Sequence, residues 1–447
     1  MRAVNANTLT GKIAVLIIRF IGVILYLFKG KKWKYPIHEF SEDPRIYSFT
    51  DILYFAYKYY IAPHVAGSLN TQTEIYFAGQ GIEKYREESE EEEISLHAGG
   101  DLMPYEWIQD KYCQYLWDDI GTDFFSGDVV FANLETPIDL VQKVSHVPEM
   151  MLNDMHFNGD ENMFRIFNGN NQYKGFDILS TANNHSLDMG ASGVDATISF
   201  LKQKNIVSVG TASSEAERQE AKIIRKKGIN IGFVAYTFSL NKLQNPIGQE
   251  YLSNYIEFNK PSINLVALTA DVKRTLDAGA DIIVASIHYG NAYQAYPSAH
   301  IIEVTHRIFS ECGVDIIIGG HPHNIQPMEY YSFNCPFTGE RKKGFAVYSL
   351  ADFVAYDIFN WCHLPVYLKI NIGKKAGKVM VKNIKAVPVY CCGIYNSSSK
   401  RELRFMDATR LWANLSENKI PEFMHNKHIH EARELEKFYQ NYFKQCL

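Results

Sequence analysis

From Ile94 onward the chain keeps returning to one pattern: a short continuous apolar run, a turn, and then a stretch with helical spacing. The runs fall at Ile94–Ala98, Asp128–Leu134, Phe176–Ala182, Ile206–Gly210, Ile229–Tyr236, Asp281–Ile287, Asp315–Gly319 and Phe345–Leu350. Uninterrupted apolar strands are those covered on both faces, and their alternation with helices predicts βαβ units around a parallel sheet. Between two of the runs, Ser192–Asp195 has the form of a capping box opening a helix with Val194, Ile198 and Leu201 on one face. Another helix is expected from Ser298, burying Ile301, Thr305 and Ile308 and ending at Gly313. After Leu364, "VYLKINI" and "KVMVKNIKAVPVY" alternate as antiparallel strands do, and the segment from Pro421 reads as a helix.

The residues that follow the strands carry the chemistry. "SLHAGGD" ends in Asp101, "VVFANLE" in Glu135, "DILSTANNH" in Asn184 and His185, "DIIVASIHYG" carries His288, and "IIIGGHPHNIQP" delivers His321 and His323 after Gly319-Gly320. Parallel strands keep their carboxyl ends together, and open α/β sheets place ligands at that edge. Carboxylates gathered there without a cation would repel one another and lose hydration at high cost, which a divalent ion removes. Mixed nitrogen and oxygen donors without thiolate suit one or two ions of Mn²⁺, Fe²⁺ or Zn²⁺, whereas Ca²⁺ and Mg²⁺ prefer oxygen alone.

The rest of the chain narrows the class. A formal charge of −5 leaves no electrostatic footprint for nucleic acid, which is set aside as a partner. The seven cysteines are scattered without paired CxxC spacing and read as reduced thiols of a reducing compartment. At the amino terminus, "IAVLIIRFIGVILYLF" (Ile13–Phe28) precedes Lys29, Lys31, Lys32 and Lys34. At about 1.5 Å per residue the run reaches roughly 24 Å, short of a roughly 30 Å hydrocarbon core. Its apolar residues contribute about −4 to −7 kcal/mol against roughly +2.5 to +3.5 for Arg19, so insertion is expected to be close to balanced. If it spans, the lysines after it place the main domain on the cytoplasmic face; the alternative is extracytoplasmic. Residues 35–86 are rich in Tyr and Phe and read as an ordered extension, and Glu87–Glu93 as a solvated acidic linker. The expected division is 1–34, 35–93, 94–395 and a helical tail at 396–447.

Taken in order, "GGDLMP", "ANLETP", "TANNHSLDMG", "SIHYGNAYQAYPS", "GGHPHNIQP" and "VYSLADF" resemble the CapA (PgsA-type) capsule or poly-γ-glutamate biosynthesis proteins, a branch of the calcineurin-like metallophosphoesterases. The resemblance covers about Ile94–Phe353. It implies an α/β fold, a four-layer αββα sandwich, with Asp101 and His323 on one ion, Asn184, His288 and His321 on the other, and Glu135 bridging. His185 would be the catalytic histidine, with Asn183, Tyr289 and Asp352 on the substrate side. The chain departs from the pattern at four positions. Met103 stands where the broader phosphoesterases have a histidine, so that one ion is expected to be loosely held or absent. Ala292 replaces a glutamate, Gly320 a histidine, and Asp352 a neutral amide.

Two functions fit this reading. One is a metal-dependent hydrolase of phosphoesterase type acting on an envelope or capsule polymer or its precursor, with amide hydrolysis as a sibling chemistry. The other is a non-enzymatic subunit among membrane-bound synthase or export proteins.

Overall fold

The computed structural model describes residues 9–30, 33, 48–50, 53–54, 57, 71–87, 93–148, 155–357, 359–396 and 400–447. The strand-like runs fold into two sheets. The first contains β1 (Glu93–Leu102), β2 (Val129–Leu134), β3 (Ile178–Ser180) and β4 (Val207–Val209), all parallel. The second is built on β5 (Lys222–Lys226), β6 (Ile229–Thr237), β7 (Ile282–His288), β8 (Ile316–Gly320), β9 (Ile325–Asn334) and β10 (Arg341–Leu350). Its order is β5-β6-β7-β8-β10-β9, with β6, β7, β8 and β10 parallel. Short β11 (Asp352–Val354) crosses back to pair in parallel with the end of β1. Then β12 (Val366–Lys375), β13 (Lys378–Asn396) and β14 (Lys400–Asp407) extend the first sheet as an antiparallel meander, giving the order β14-β13-β12-β1-β2-β3-β4.

Both faces of β2 are buried, which is why its run from Val129 to Ala132 is apolar at every position. Val129 and Phe131 of β2 belong to the core between the sheets, whereas Val130 and Ala132 belong to a second core on the other face. Across the inter-sheet core, Phe131 stacks on Phe233 of β6 with ring centroids 6.1 Å apart. Helices cover the outside: Gly190–Gln203 lies by β4, Val266–Asp277 by β6 and β7, and Ala299–Cys312 by β9. The result is the expected αββα sandwich. The helix Ala299–Cys312 starts and stops on the expected signals, with Ser298 Oγ accepting from Ile301 N and Gly313 at φ 73°.

Local expectations fail in two places. The first outer helix begins at Gly190, without a side-chain cap, so Ser192 lies inside its first turn. The strand-end turn runs straight into this helix, Gly190 N donating to Leu187 O at 2.7 Å, and leaves no separate cap position. The amino-terminal helix is also longer than its apolar run. It spans Leu9–Lys29, 21 residues containing an 18-residue stretch of mean hydropathy 2.2, and reaches about 31 Å, enough to cross a bilayer. Leu16, Phe20 and Leu27 are exposed on it. Lys31, Lys32 and Lys34, most of 35–70, and the centre of the acidic run, 88–92, lie outside the described residues.

The described part of the extension packs on the sandwich. In the helix Thr71–Ala78, Phe77 is buried against Tyr296 and Tyr348, and the hydroxyl of Tyr76 donates to Glu329 on β9. Residues 396–447, expected as a helical tail, also supply β14 before the helices Ala408–Ser416 and Asn426–Phe438. All seven cysteines are free thiols and buried.

Candidate metal centre

The carboxyl ends of β1, β2, β3, β7 and β8 meet at one edge of the sandwich, joined by β11. Register brings them together: Asp101 lies opposite Asn133 of β2 on one side and Asp352 of β11 on the other, and His288 lies opposite Gly320. The turn after β8 is under backbone strain, His321 and His323 taking φ values of 95° and 61°. Such conformations cost a non-glycine residue on the order of 1–3 kcal/mol and concentrate at functional sites. Gly320 precedes them for a steric reason. A Cβ there would lie 2.9 Å from Asp101 Oδ1 and 3.1 Å from His288 Nδ1. A side chain at that position would have to displace both groups.

Asp101 is buried and well braced. Its Oδ1 accepts from Asn133 Nδ2 at 2.8 Å and its Oδ2 from His321 N at 3.2 Å. Among these protein groups, burial and then the charge of Glu135 push its pKa up to about 7. Glu135 itself is fully buried, and among the described residues neither of its oxygens has a hydrogen-bond partner. Its pKa is raised, with burial the largest cause, opposed by the nearby imidazoles. His288 Nε2 lies 3.0 Å from Asn184 Oδ1 and 3.6 Å from Glu135 Oε1, and burial drives its pKa down to about 3. His323 behaves in the opposite sense. Burial disfavours its charge, but Asp352, whose Oδ1 lies 2.8 Å from His323 Nδ1, outweighs that and lifts the pKa to about 10. The His321 ring sits between the other two, 5.1 Å from His288 and 5.8 Å from His323 by centroids.

These donors fit divalent ions. Asp101, Glu135 and His288 offer ligand atoms within 4.8 Å of one another, and so do Asp101, His323 and Asp352. The 3.0 Å gap between Asn184 Oδ1 and His288 Nε2 matches the edge of about 3 Å between two neighbouring ligands at bond lengths of about 2.1 Å. Two orphaned carboxylate oxygens on one fully buried glutamate are costly unless a cation meets them. Asp101 is the residue common to both groups, with Glu135 beside it.

His185 belongs to neither group. Its Nδ1 lies 2.6 Å from Asp188 Oδ2, which also accepts from Phe157 N at 2.6 Å, and its ring stacks on Phe157 at 3.6 Å between centroids. Asn183 braces the turn, donating to Leu134 O at 2.8 Å and Asn133 Oδ1 at 3.2 Å and accepting from His185 N at 3.1 Å. Tyr289 lies in the core, its hydroxyl 2.7 Å from Thr305 Oγ1 and its ring stacked along Tyr348. Sequence reasoning passed over Asn133, Asp188 and Phe157. Asn133 was the most legible of these, an amide two residues before Glu135 at a strand end; Asp188 and Phe157 gain meaning only from the turn that joins them.

Two facing sheets whose parallel strands deliver carboxylates, an amide and imidazoles to one edge form a candidate metal centre. The chain belongs to the bacterial capsule synthesis protein family PGA_cap, whose family model matches residues 95–357. It is 24% identical over 274 residues to the capsule biosynthesis protein CapA of Bacillus anthracis, covering 59% of this chain and 60% of that protein. It is 23% identical over 272 residues to the PGA biosynthesis protein CapA of Bacillus subtilis strain 168, covering 58% and 63%. The alignments thus take in less than two thirds of either relative. Among solved structures, a hypothetical protein from Thermus thermophilus aligns with TM-score 0.37 at 12% identity, covering 66% of this chain and 99% of that one. The calcineurin-like phosphoesterase YfkN from Bacillus subtilis aligns with TM-score 0.36 at 14% identity, covering 78% and 97%.

Proposed function

We propose that the protein is a metal-dependent hydrolase of phosphoesterase type that acts on a precursor or product of capsule or envelope polymer synthesis. The observation that carries this reading is Glu135, a buried carboxylate with no hydrogen-bond partner among the described residues, set among further carboxylates and imidazoles. Asp101, Glu135, Asn184, His288, His321 and His323 would hold one or two ions of Mn²⁺, Fe²⁺ or Zn²⁺. Bound there, such ions supply charge neutralisation at the attacked group and acidification of water toward neutral pH.

The chain's own contribution is positioning and proton transfer. Asp188 accepts a hydrogen bond from the Nδ1–H of His185 and fixes that tautomer, which leaves Nε2 to exchange a proton with the oxygen that departs from substrate. Stacking on Phe157 holds the imidazole plane, and the bond from Phe157 N holds Asp188 in turn. The same arrangement serves an amide such as a γ-glutamyl bond, because the leaving nitrogen also needs a proton.

The helix Leu9–Lys29 would tether the protein to a membrane beside synthase or export subunits, with the sandwich on the cytoplasmic face. The deciding experiment is metal analysis of protein purified without chelator, coupled to a screen of phosphoester and γ-glutamyl substrates. The expected result is at least one equivalent of Mn, Fe or Zn and turnover that chelator abolishes. Metal-free protein with no turnover after reconstitution would leave a scaffold among the synthase subunits. A single engineered surface cysteine decides the side of the membrane, since the seven native thiols are buried. Labelling of intact cells by an impermeant reagent would reverse the orientation.

A further inference from the structure

We propose that Asp352 is itself a metal ligand, joining Asp101 and His323 on one ion through its Oδ2 atom, rather than a group that meets substrate. The proposal rests on the metal-centre reading above and adds a residue to it. Three observations carry it. The first is register: β11 runs parallel to β1 with Asp352 directly opposite Asp101, so the strand pairing itself fixes the two carboxylates side by side. The second is reach, since Asp101, His323 and Asp352 place ligand atoms within 4.8 Å of one another. The third is the division of labour between the two oxygens of one carboxylate. Oδ1 lies 2.8 Å from His323 Nδ1, while Oδ2 is buried with no hydrogen-bond partner among the described residues, in a residue 1% exposed.

A carboxylate whose only task was to orient His323 would be complete with Oδ1 and would place its second oxygen in water or on a donor. Asp352 does neither. Its other acidic neighbour shows the contrast: Asp357 accepts from Tyr105 Oη at 2.6 Å on Oδ2 and from Phe359 N at 3.1 Å on Oδ1. With Nδ1 of His323 facing Asp352, Nε2 of that ring remains as its ligand atom. Asp352 then does two jobs at once, setting the ring and completing the shell.

The discriminating variant is Asp352→Asn. Its amide oxygen can still accept from His323, but an NH₂ group replaces the second oxygen and cannot coordinate. Mn²⁺ binding to the full chain in detergent is measured by titration calorimetry and elemental analysis, with thermal unfolding recorded in chelator and in Mn²⁺. Loss of an orienting partner alone costs about 10–100-fold in affinity, and D352N retains that partner. The expected result is that D352N loses one equivalent, or binds Mn²⁺ more than 100-fold more weakly, while it melts in chelator at or above the wild-type temperature. Wild-type and D352N proteins that bind Mn²⁺ with equal stoichiometry and affinities within tenfold would overturn this proposal and leave the metal centre standing. A wild type that binds no Mn²⁺ would overturn the metal centre itself. Should D352N fail to fold, a crystal structure of the wild type soaked in Mn²⁺ decides: an anomalous peak about 2.0–2.3 Å from Asp352 Oδ2 supports the assignment, and one beyond about 3 Å refutes it.

Discussion

Glu135 and Glu329 are both fully buried glutamates at 0% exposure, and they are accommodated in opposite ways. Glu329, on β9, accepts from the hydroxyls of Tyr76 and Tyr348, the latter at 2.6 Å, and lies 3.0 Å from His306 Nε2. Its partners come from the extension, from β10 and from the helix Ala299–Cys312, so this one carboxylate ties three elements together. Glu135, at the opposite functional edge, has no such partner on either oxygen. Burial alone therefore says nothing about role. What separates a structural acid from a candidate ligand is whether the fold satisfies it.

The largest expected effect tests the edge without touching either glutamate. Replacing His185 by Asn should lower turnover by about 10²–10⁴-fold, the usual contribution of a placed acid or base, while metal content and melting temperature stay near wild type. Equal loss of metal would show His185 to be a ligand and blur the line between holding ions and moving protons. Next in size is Glu329→Ala, which strands the buried hydroxyl of Tyr348 and takes a partner from Tyr76 and His306, and should cost about 3–5 kcal/mol in denaturant unfolding, with Mn²⁺ stoichiometry of the folded fraction unchanged. Glu135→Gln should do the reverse. In chelator it should gain about 1–3 kcal/mol by removing an uncompensated buried charge, and it should lose the rise in melting temperature that Mn²⁺ gives the wild type. A loss of apo stability in E135Q would mean that this acid, too, is structural.

The smallest effect concerns a third buried pair. His363 Nδ1 lies 2.6 Å from Glu431 Oε1 on the helix Asn426–Phe438; burial opposes the imidazolium, but Glu431 prevails and the pKa of His363 is raised. A raised pKa means that the pair's stabilisation is complete below the unfolded value of about 6.5 and fades as pH climbs through the folded value. The melting-temperature gap between wild type and Glu431→Gln should thus be widest below about pH 6.5 and narrow as pH rises above it. A gap independent of pH would show that the pair is held by packing and not by charge.

The strands and most of the candidate ligand set were legible because both depend on local pattern. An apolar run covered on two faces ends where polarity begins, and Asp101, Glu135, His288, His321 and His323 stand at those ends. The bracing was not legible. Asp188 reads as a turn residue until Phe157, 31 positions earlier, is seen to donate to the same oxygen that faces His185. Asp352 departs from the family pattern only by one atom, and its pairing with Asp101 depends on β11 crossing back to the first sheet. Tyr289, beside a strong candidate ligand, belongs to the core because a strand sends successive side chains to opposite faces.

The position of β1 in the first sheet sets the order in which the protein can be made. Ile94 pairs with Ile372, so the first strand of the sandwich acquires one of its two long neighbours only after nearly 280 further residues have been synthesised. At about 5–20 residues per second, that leaves an apolar strand waiting roughly 15–55 s on the ribosome. During that interval the helix Leu9–Lys29 has already emerged and can engage a membrane, while the edge of β1 that will later hold Asp101 against Asp352 is open to any other strand. Expression yield should therefore depend on chaperones that shield nascent strands, more steeply than the stability of the finished sandwich would suggest.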